Sequence, residues 1–209
     1  MKTILRPRIF LDADHFLYCA SEFLGAEDQP VPGSTVVERL LEGKGGNQLY
    51  RYYATARPSA RPFLEALQAL GEVSVLTDGY GPLTSAILED LNLRELIHSV
   101  WGLQWPGILP WDDRHQDGYV PLPANRDLKS PRGQRWVLAD HVDVDHKLVV
   151  RKMRTLGFKD PAGKPVQRCQ PWRTLLKRHY VQGDPWFFGQ DDEHPLTGLI
   201  EQITSKLEN

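Results

Sequence analysis

Two carboxylates stand two residues apart in DADHF, at Asp12 and Asp14, directly after the short apolar run RIFL. Two other apolar runs also end on polar residues: VSVL runs into Thr77, and RWVLA runs into Asp140. Lys129 lies 11 residues before Asp140. These residue types suit phosphoryl transfer. A carboxylate nucleophile needs a second, protonated acid to serve the leaving group. Phosphoryl oxygens need a hydroxyl and a cation. A hard divalent ion needs oxygen ligands delivered from separate strands. Each role has a candidate, in the chain order Asp, Thr, Lys, Asp. An Asp-x-Asp pair at a strand end serves equally as a cap or turn former; the three residues that follow it in order are what point to chemistry.

The elements that must position these residues alternate in type. Residues 8–14 (RIFLDAD) predict a buried strand and the turn after it, 73–77 (VSVLT) a second buried strand, and 135–140 (RWVLAD) a third. Between them, Ser59–Gly71 has the apolar stripe Phe63, Leu64, Leu67 and Leu70 of a helix that Gly71 ends. Gly79 and Gly81 predict a turn, after which Pro82 opens the helix PLTSAILEDL. Residues 147–157 (KLVVRKMRTLG) and 195–208 predict two more helices. Residues 35–43 (TVVERLLEG) read as a short helix closed by Gly43, and 48–56 (QLYRYYATA) as a strand. Residues 26–34 and 160–171 read as loops. The aromatic, proline-rich stretch 97–131 has no lasting period and reads as an irregular or β-rich insertion. The fold class expected is α/β: one domain, 1–209, with a mainly parallel Rossmann-like sheet and helices on both faces. Such sheets bind ligands at the carboxyl ends of their strands, where Asp12, Asp14, Thr77 and Asp140 fall.

Composition narrows the class. The 209 residues carry 25 basic and 27 acidic side chains, so an extended nucleic-acid surface is not expected. Two separated cysteines, Cys19 and Cys169, exclude a disulfide scaffold and a cysteine-rich zinc site, and both read as small apolar core residues. The opening residues MKTILRPRIF have no long apolar run, which predicts no secretory signal, no membrane span and a cytoplasmic setting.

Three stretches resemble the haloacid dehalogenase-like superfamily, most closely its branch of RNA polymerase C-terminal-domain phosphatases. LDADHFLY is similar to that branch's LDLDETLV. ARPSARPFLEALQALGEVSVLTDG looks like its RPGLREFLEAL…EVVVFTAS, nearly position by position, and DPWFFGQDDEHPLTGLIEQI resembles its C-terminal segment. The resemblance implies a magnesium-dependent phosphatase acting through an aspartyl-phosphate. Asp12 would then be nucleophile and Mg²⁺ ligand, and Asp14 the general acid and base with its carbonyl on the metal. Thr77 would bind the phosphoryl group, Lys129 or its competitor Arg126 would neutralise phosphate, and Asp140 would hold the metal. The implied substrate is a phosphorylated protein, a small phosphomonoester or a nucleotide phosphate end.

The chain departs from the branch at two points. Phe16 replaces a threonine four residues after the nucleophile, and His141 replaces the second acid of the pair on the third strand. His141 is either an outer-shell group or a direct nitrogen ligand; the outer-shell role is preferred because Asp140 already supplies oxygen. The alternative to an enzyme is an impaired binding module for a phosphorylated or protein partner, in which Phe16 and His141 mark a decayed site. The remaining signals have plainer readings. Asp143 or Asp145 is expected to cap the helix at 147, and His15 to sit in a turn. Trp101, Trp105, Trp111 and Tyr119 are expected to form the insertion's own core. The run RKMR (151–154) is expected to be a solvated basic face.

Overall fold

The computed structural model describes residues 6–22, 31–43, 46–104, 109–112, 126–127, 135–155, 158–159 and 176–208. Five strands run parallel in one sheet: β1 (Arg8–Leu11), β5 (Glu72–Tyr80), β6 (Ser99–Gln104), β9 (Trp136–Asp140) and β11 (Tyr180–Gln182). β7 (Leu109–Asp112) adds an antiparallel edge, and the spatial order is β11-β9-β1-β5-β6-β7. The chain leaves β1 for β5 and β6 on one side and returns to β9 and β11 on the other. β1 is therefore the topological switch point, where the crevice of such a sheet opens.

The strands bury both faces, as a parallel sheet requires. Ile9, Leu11, Val73, Val75, Val100, Val137 and Ala139 point into one core, with Phe63, Leu64 and Leu67 of α1 (Ala60–Leu70) and Ile87 and Leu88 of α2 (Gly81–Asp90). Ile203 and Leu207 of α4 (Ile200–Glu208) pack there too. The alternate residues Phe10, Leu76, Trp101, Trp136 and Leu138 meet Val149 and Val150 of α3 (Lys147–Thr155) on the opposite face. Each fully buried Leu or Phe in these cores contributes about 1.5–3 kcal/mol. The expected α/β architecture with helices on both faces is what the chain forms.

Three expectations change. Residues 35–43 are not a helix but β3 (Thr35–Gly43), paired along its length with β4 (Gly46–Ala56), from Thr35 opposite Ala54 to Gly43 opposite Gly46. Thr35, Val36 and Val37 are β-branched and fit a pleated surface. The doubled apolar pairs that mimic a helix split between two faces: Val37 is buried towards α2, and Val36 and Leu40 are exposed. With β2 (Tyr18–Glu22) these strands make a separate antiparallel sheet in the order β2-β4-β3. Secondly, the start of the stretch read as an insertion is β6, a strand of the central sheet. Trp101 is 2% exposed and donates its Nε1–H to Ser99 Oγ, so it belongs to the main core. Trp105, Tyr119 and Cys169 lie outside the described residues. Thirdly, no turn separates β5 from α2: the strand runs to Tyr80 and the helix starts at Gly81.

A buried arginine holds the C-terminal segment to this core. Arg57, 3% exposed, sits between β4 and α1. Its Nε donates to Asp192 Oδ1 at 2.8 Å, and its other nitrogens donate to the carbonyls of Asp184 and His194 at 2.8 and 2.6 Å. Asp192 Oδ2 accepts the Ser59 N–H at 2.9 Å, and Ser59 Oγ accepts the Leu196 N–H at 2.9 Å. Burial works to raise the Asp192 carboxyl, but the hydrogen bonds from Ser59 and Arg57 hold it below its ordinary 3.8. Its stabilisation is therefore complete above that value and is lost as pH falls through the depressed one. Arg57→Ala, which strands a buried carboxylate and two carbonyls, is expected to lower stability by about 3–5 kcal/mol in urea unfolding. An effect under about 1 kcal/mol would show that the latch is dispensable.

Candidate active site

Parallel register brings the carboxylates together. Leu11 pairs with Val75 on one side and Ala139 on the other, so Asp12 and Asp140 leave adjacent strands at the same level. The Asp12 N–H donates to the Ala139 carbonyl at 2.9 Å, which fixes the backbone there. Asp12 is 3% exposed and Asp140 is fully buried. Two carboxylates in this position need a counter-charge, and Lys152 supplies it. Its Nζ lies 2.6 Å from Asp12 Oδ1 and 2.8 Å from Asp140 Oδ2, with the side chain 1% exposed. His141 Nδ1 donates to Asp12 Oδ2 at 2.8 Å.

These contacts separate the acids. Burial works to raise the Asp12 carboxyl, but the Lys152 charge and the His141 hydrogen bond overcome it and hold Asp12 down at about 2. Burial and the Asp12 charge push Asp140 up to about 6, against Lys152. Burial also works against the Lys152 ammonium, but Asp12 and Asp140 outweigh it and keep the group charged. Asp14 is half exposed; burial raises its carboxyl above the ordinary 3.8, with His15 opposing and Asp12 adding to the shift. The site thus holds a firmly ionised carboxylate two residues from one that retains its proton more readily, an acid–base division of the kind phosphoryl transfer needs.

The turn that carries Asp14 is tight. The N–H groups of Phe16, Leu17 and Tyr18 converge on the Ala13 carbonyl, at 3.3, 2.8 and 3.3 Å. This forces His15 to φ +57°, a left-handed conformation uncommon outside glycine. His15 is a turn residue, as expected. Its carbonyl accepts the Trp186 N–H at 2.9 Å, and its ring lies 4.6 Å from that of Phe187. Phe16 points the other way, fully buried against Phe63, so the departure at this position is absorbed by the core. Gly183 makes room for it: a Cβ there would stand 2.9 Å from the Phe16 ring.

Thr77 sits in a β-bulge. Leu76 pairs with Trp101 and the next pair is Tyr80 with Leu103, leaving Thr77, Asp78 and Gly79 opposite Gly102. A Cβ on Gly102 would lie 2.9 Å from Thr77 Cγ2 and 2.7 Å from Gly81 Cα, so only glycine admits this approach. Thr77 Oγ1 accepts the Gly79 N–H at 3.0 Å, and its own hydrogen has no acceptor among the described residues.

Of the residues expected from sequence, Asp12 and Asp140 meet, Asp14 follows the end of β1, and Thr77 stands in the bulge of the neighbouring β5, three residues before its end. Lys129 lies outside the described residues, as does the side chain of Arg126. The cation on Asp12 is Lys152, which corrects the expectation of a solvated basic face at that position; the side chains of Arg151, Met153 and Arg154 lie outside the described residues. A signal was available: Lys152 follows Val149 by three residues, on the stripe that α3 buries. A lysine there must meet an anion. The helix cap is also reassigned. His146 Nδ1 accepts the Leu148 N–H at 3.3 Å, whereas Asp143 accepts the N–H of Asp145 at 2.7 Å in the preceding turn.

The donor set fits a divalent ion. One ligand atom from each of Asp12, Asp140 and His141 lies within 4.8 Å of the others. Carboxylate oxygens suit hard ions, and imidazole suits borderline ones.

No protein-family profile and no curated protein matches the chain. Among solved structures the chain is similar to Fcp1, an essential RNA polymerase II CTD phosphatase, at 16% identity and a TM-score of 0.46, over 97% of this chain and 48% of that one. It is also similar to a fission yeast Fcp1 variant bound to beryllium fluoride, at 14% identity and a TM-score of 0.46, over 97% of this chain and 51% of that one. The chain therefore spans about half the length of these structures. Both belong to the phosphatase branch whose motifs the sequence resembles.

Removing the Lys152 charge leaves two buried carboxylates without their ammonium. Lys152→Met is expected to lower stability by about 3–5 kcal/mol in urea unfolding. A variant as stable as wild type would show that the pairing contributes nothing to the fold.

Proposed function

We propose that the protein is a haloacid dehalogenase-like phosphatase that cleaves a phosphomonoester through an aspartyl-phosphate on Asp12. The observation that carries this reading is the pair of environments at the switch point: Asp12 buried and ionised against Lys152, and Asp14 half exposed with its carboxyl raised. Asp12 attacks phosphorus in line, and the ester P–O bond breaks as Asp14 passes its proton to the leaving oxygen. Asp14, now a carboxylate, takes a proton from a water that attacks the same phosphorus. Inorganic phosphate leaves and Asp12 is restored. The Thr77 hydroxyl donates to a phosphoryl oxygen, and Lys152 orients Asp12 while balancing its charge. A divalent ion, Mg²⁺ in the resembled branch, supplies charge neutralisation of the phosphoryl oxygens when bound; Asp12, Asp140 and the Asp14 carbonyl would hold it. A phosphorylated protein is the substrate that the branch resemblance favours.

One observation favours the alternative of a binding module with impaired catalysis. Both Asp12 oxygens already accept hydrogen bonds, from Lys152 and from His141, and one must reach phosphorus. Hydrolysis of p-nitrophenyl phosphate with a divalent ion, and its loss in EDTA, decides between the two.

Asp12→Asn is nearly isosteric and cannot attack phosphorus, so turnover is expected to fall more than about a thousandfold. Near wild-type activity would sink the mechanism. Asp14→Asn is expected to suffer less with p-nitrophenyl phosphate, whose leaving group needs no proton, than with an alkyl phosphate; equal losses would count against its role. Lys152→Ala is expected to lose activity while Lys129→Ala retains it, and the reverse result would return the cation's role to Lys129.

A further inference from the structure

Four carboxylate oxygens meet at the ends of β1 and β9, and they divide between two partners. Lys152 Nζ takes Asp12 Oδ1 at 2.6 Å and Asp140 Oδ2 at 2.8 Å. The remaining two, Asp12 Oδ2 and Asp140 Oδ1, lie 2.8 and 3.5 Å from a single atom, His141 Nδ1. Hydrogen bonding accounts for the first of these distances and not the second. Asp140 Oδ1 already accepts the Val142 N–H at 3.2 Å, and 3.5 Å from imidazole nitrogen is beyond a good bond. The three atoms converge without forming a hydrogen-bonded chain.

Both oxygens stand near enough to the imidazole nitrogen for the three atoms to share one ion. A divalent ion with bonds of about 2.1 Å holds neighbouring ligand atoms about 3.0 Å apart in an octahedron and about 3.4 Å apart in a tetrahedron. The His141–Asp12 separation of 2.8 Å is close to the octahedral edge, and the His141–Asp140 separation of 3.5 Å stands about 0.5 Å beyond it. The charges agree as well. Two carboxylates and one ammonium leave one negative charge, which a dication converts to one positive charge facing a phosphate. His141 is 19% exposed at its side chain and follows Asp140 directly, so its ring borders the crevice without being buried from it.

We propose that His141 Nδ1 is a direct ligand of the site's divalent ion beside Asp12 Oδ2 and Asp140 Oδ1, the proton it donates to Asp12 in the ion-free site passing to Nε2 or to water as the ion enters, so that the site prefers Mn²⁺ or Co²⁺ to Mg²⁺. This replaces the outer-shell role that the sequence favoured, and it rests on the phosphatase reading for the presence of an ion. Imidazole nitrogen gains on carboxylate oxygen along the series from Mn²⁺ towards Cu²⁺, which gives the preference its direction. Lys152 keeps the two far oxygens occupied, so each carboxylate offers the ion one oxygen only.

The test uses the full chain loaded with Mn²⁺, read by electron spin-echo modulation from a coordinated ¹⁴N, beside calorimetric titrations with Mg²⁺, Mn²⁺ and Co²⁺. Wild type is expected to show the nitrogen modulation. The Co²⁺-to-Mg²⁺ affinity ratio is expected to fall by about tenfold or more in His141→Asp, which puts oxygen in place of nitrogen. His141→Asn serves as the second variant, and the wild-type nitrogen signal stands if neither folds. Bound Mn²⁺ without nitrogen modulation, an unchanged affinity ratio, or no ion binding would each overturn the proposal. Neither readout needs turnover. A nitrogen signal without hydrolysis would count against the phosphatase reading alone, and hydrolysis without a nitrogen signal against His141 alone.

Discussion

One ammonium between two buried carboxylates holds this structure in its working form. Asp12 and Asp140 are brought side by side by parallel strand pairing, where their mutual repulsion in a water-poor environment would be severe. Lys152 removes most of that repulsion, and because it stands on α3 it also ties that helix to the carboxyl end of the sheet. Buried ion pairs of this kind add little net stability over a well-packed apolar core, since desolvation offsets attraction. The pairing keeps Asp12 ionised and leaves the cluster of two carboxylates and one ammonium with one negative charge.

The rest of the fold keeps this cluster in place. Alternating residues on each strand face two separate cores, so the sheet is clamped between α3 on one side and α1, α2 and α4 on the other. Arg57 joins the C-terminal segment to the same frame through Asp192 and two carbonyls, and that segment in turn supports the strained turn at His15 through the Trp186 N–H. A left-handed His15 is held there by its neighbours. Phe16 adds to this support: it fills the space above Gly183 and leaves the site to Asp12, Asp14 and Thr77.

The sequence by itself determined the buried strands, the α1 stripe and three of the polar residues at strand ends, because apolar periodicity and strand-end polarity are local properties of the chain. It misjudged residues 35–43, where two adjacent apolar pairs satisfy a helix and a two-faced strand alike; pairing with β4, which lies in a different segment, decided between them. It took β6 for part of an insertion, because a strand at the far side of a parallel sheet is recognised by its neighbour β5 and not by its own residues. Lys152 was the largest omission. A lysine on a helix reads as solvated unless the face it occupies is known to be buried, and that burial comes from the sheet. Which oxygens of Asp12 and Asp140 face Lys152 and which face His141 was decided only by the tertiary structure, because strand register sets the level of the two carboxylates and the packing of α3 sets where the ammonium enters between them.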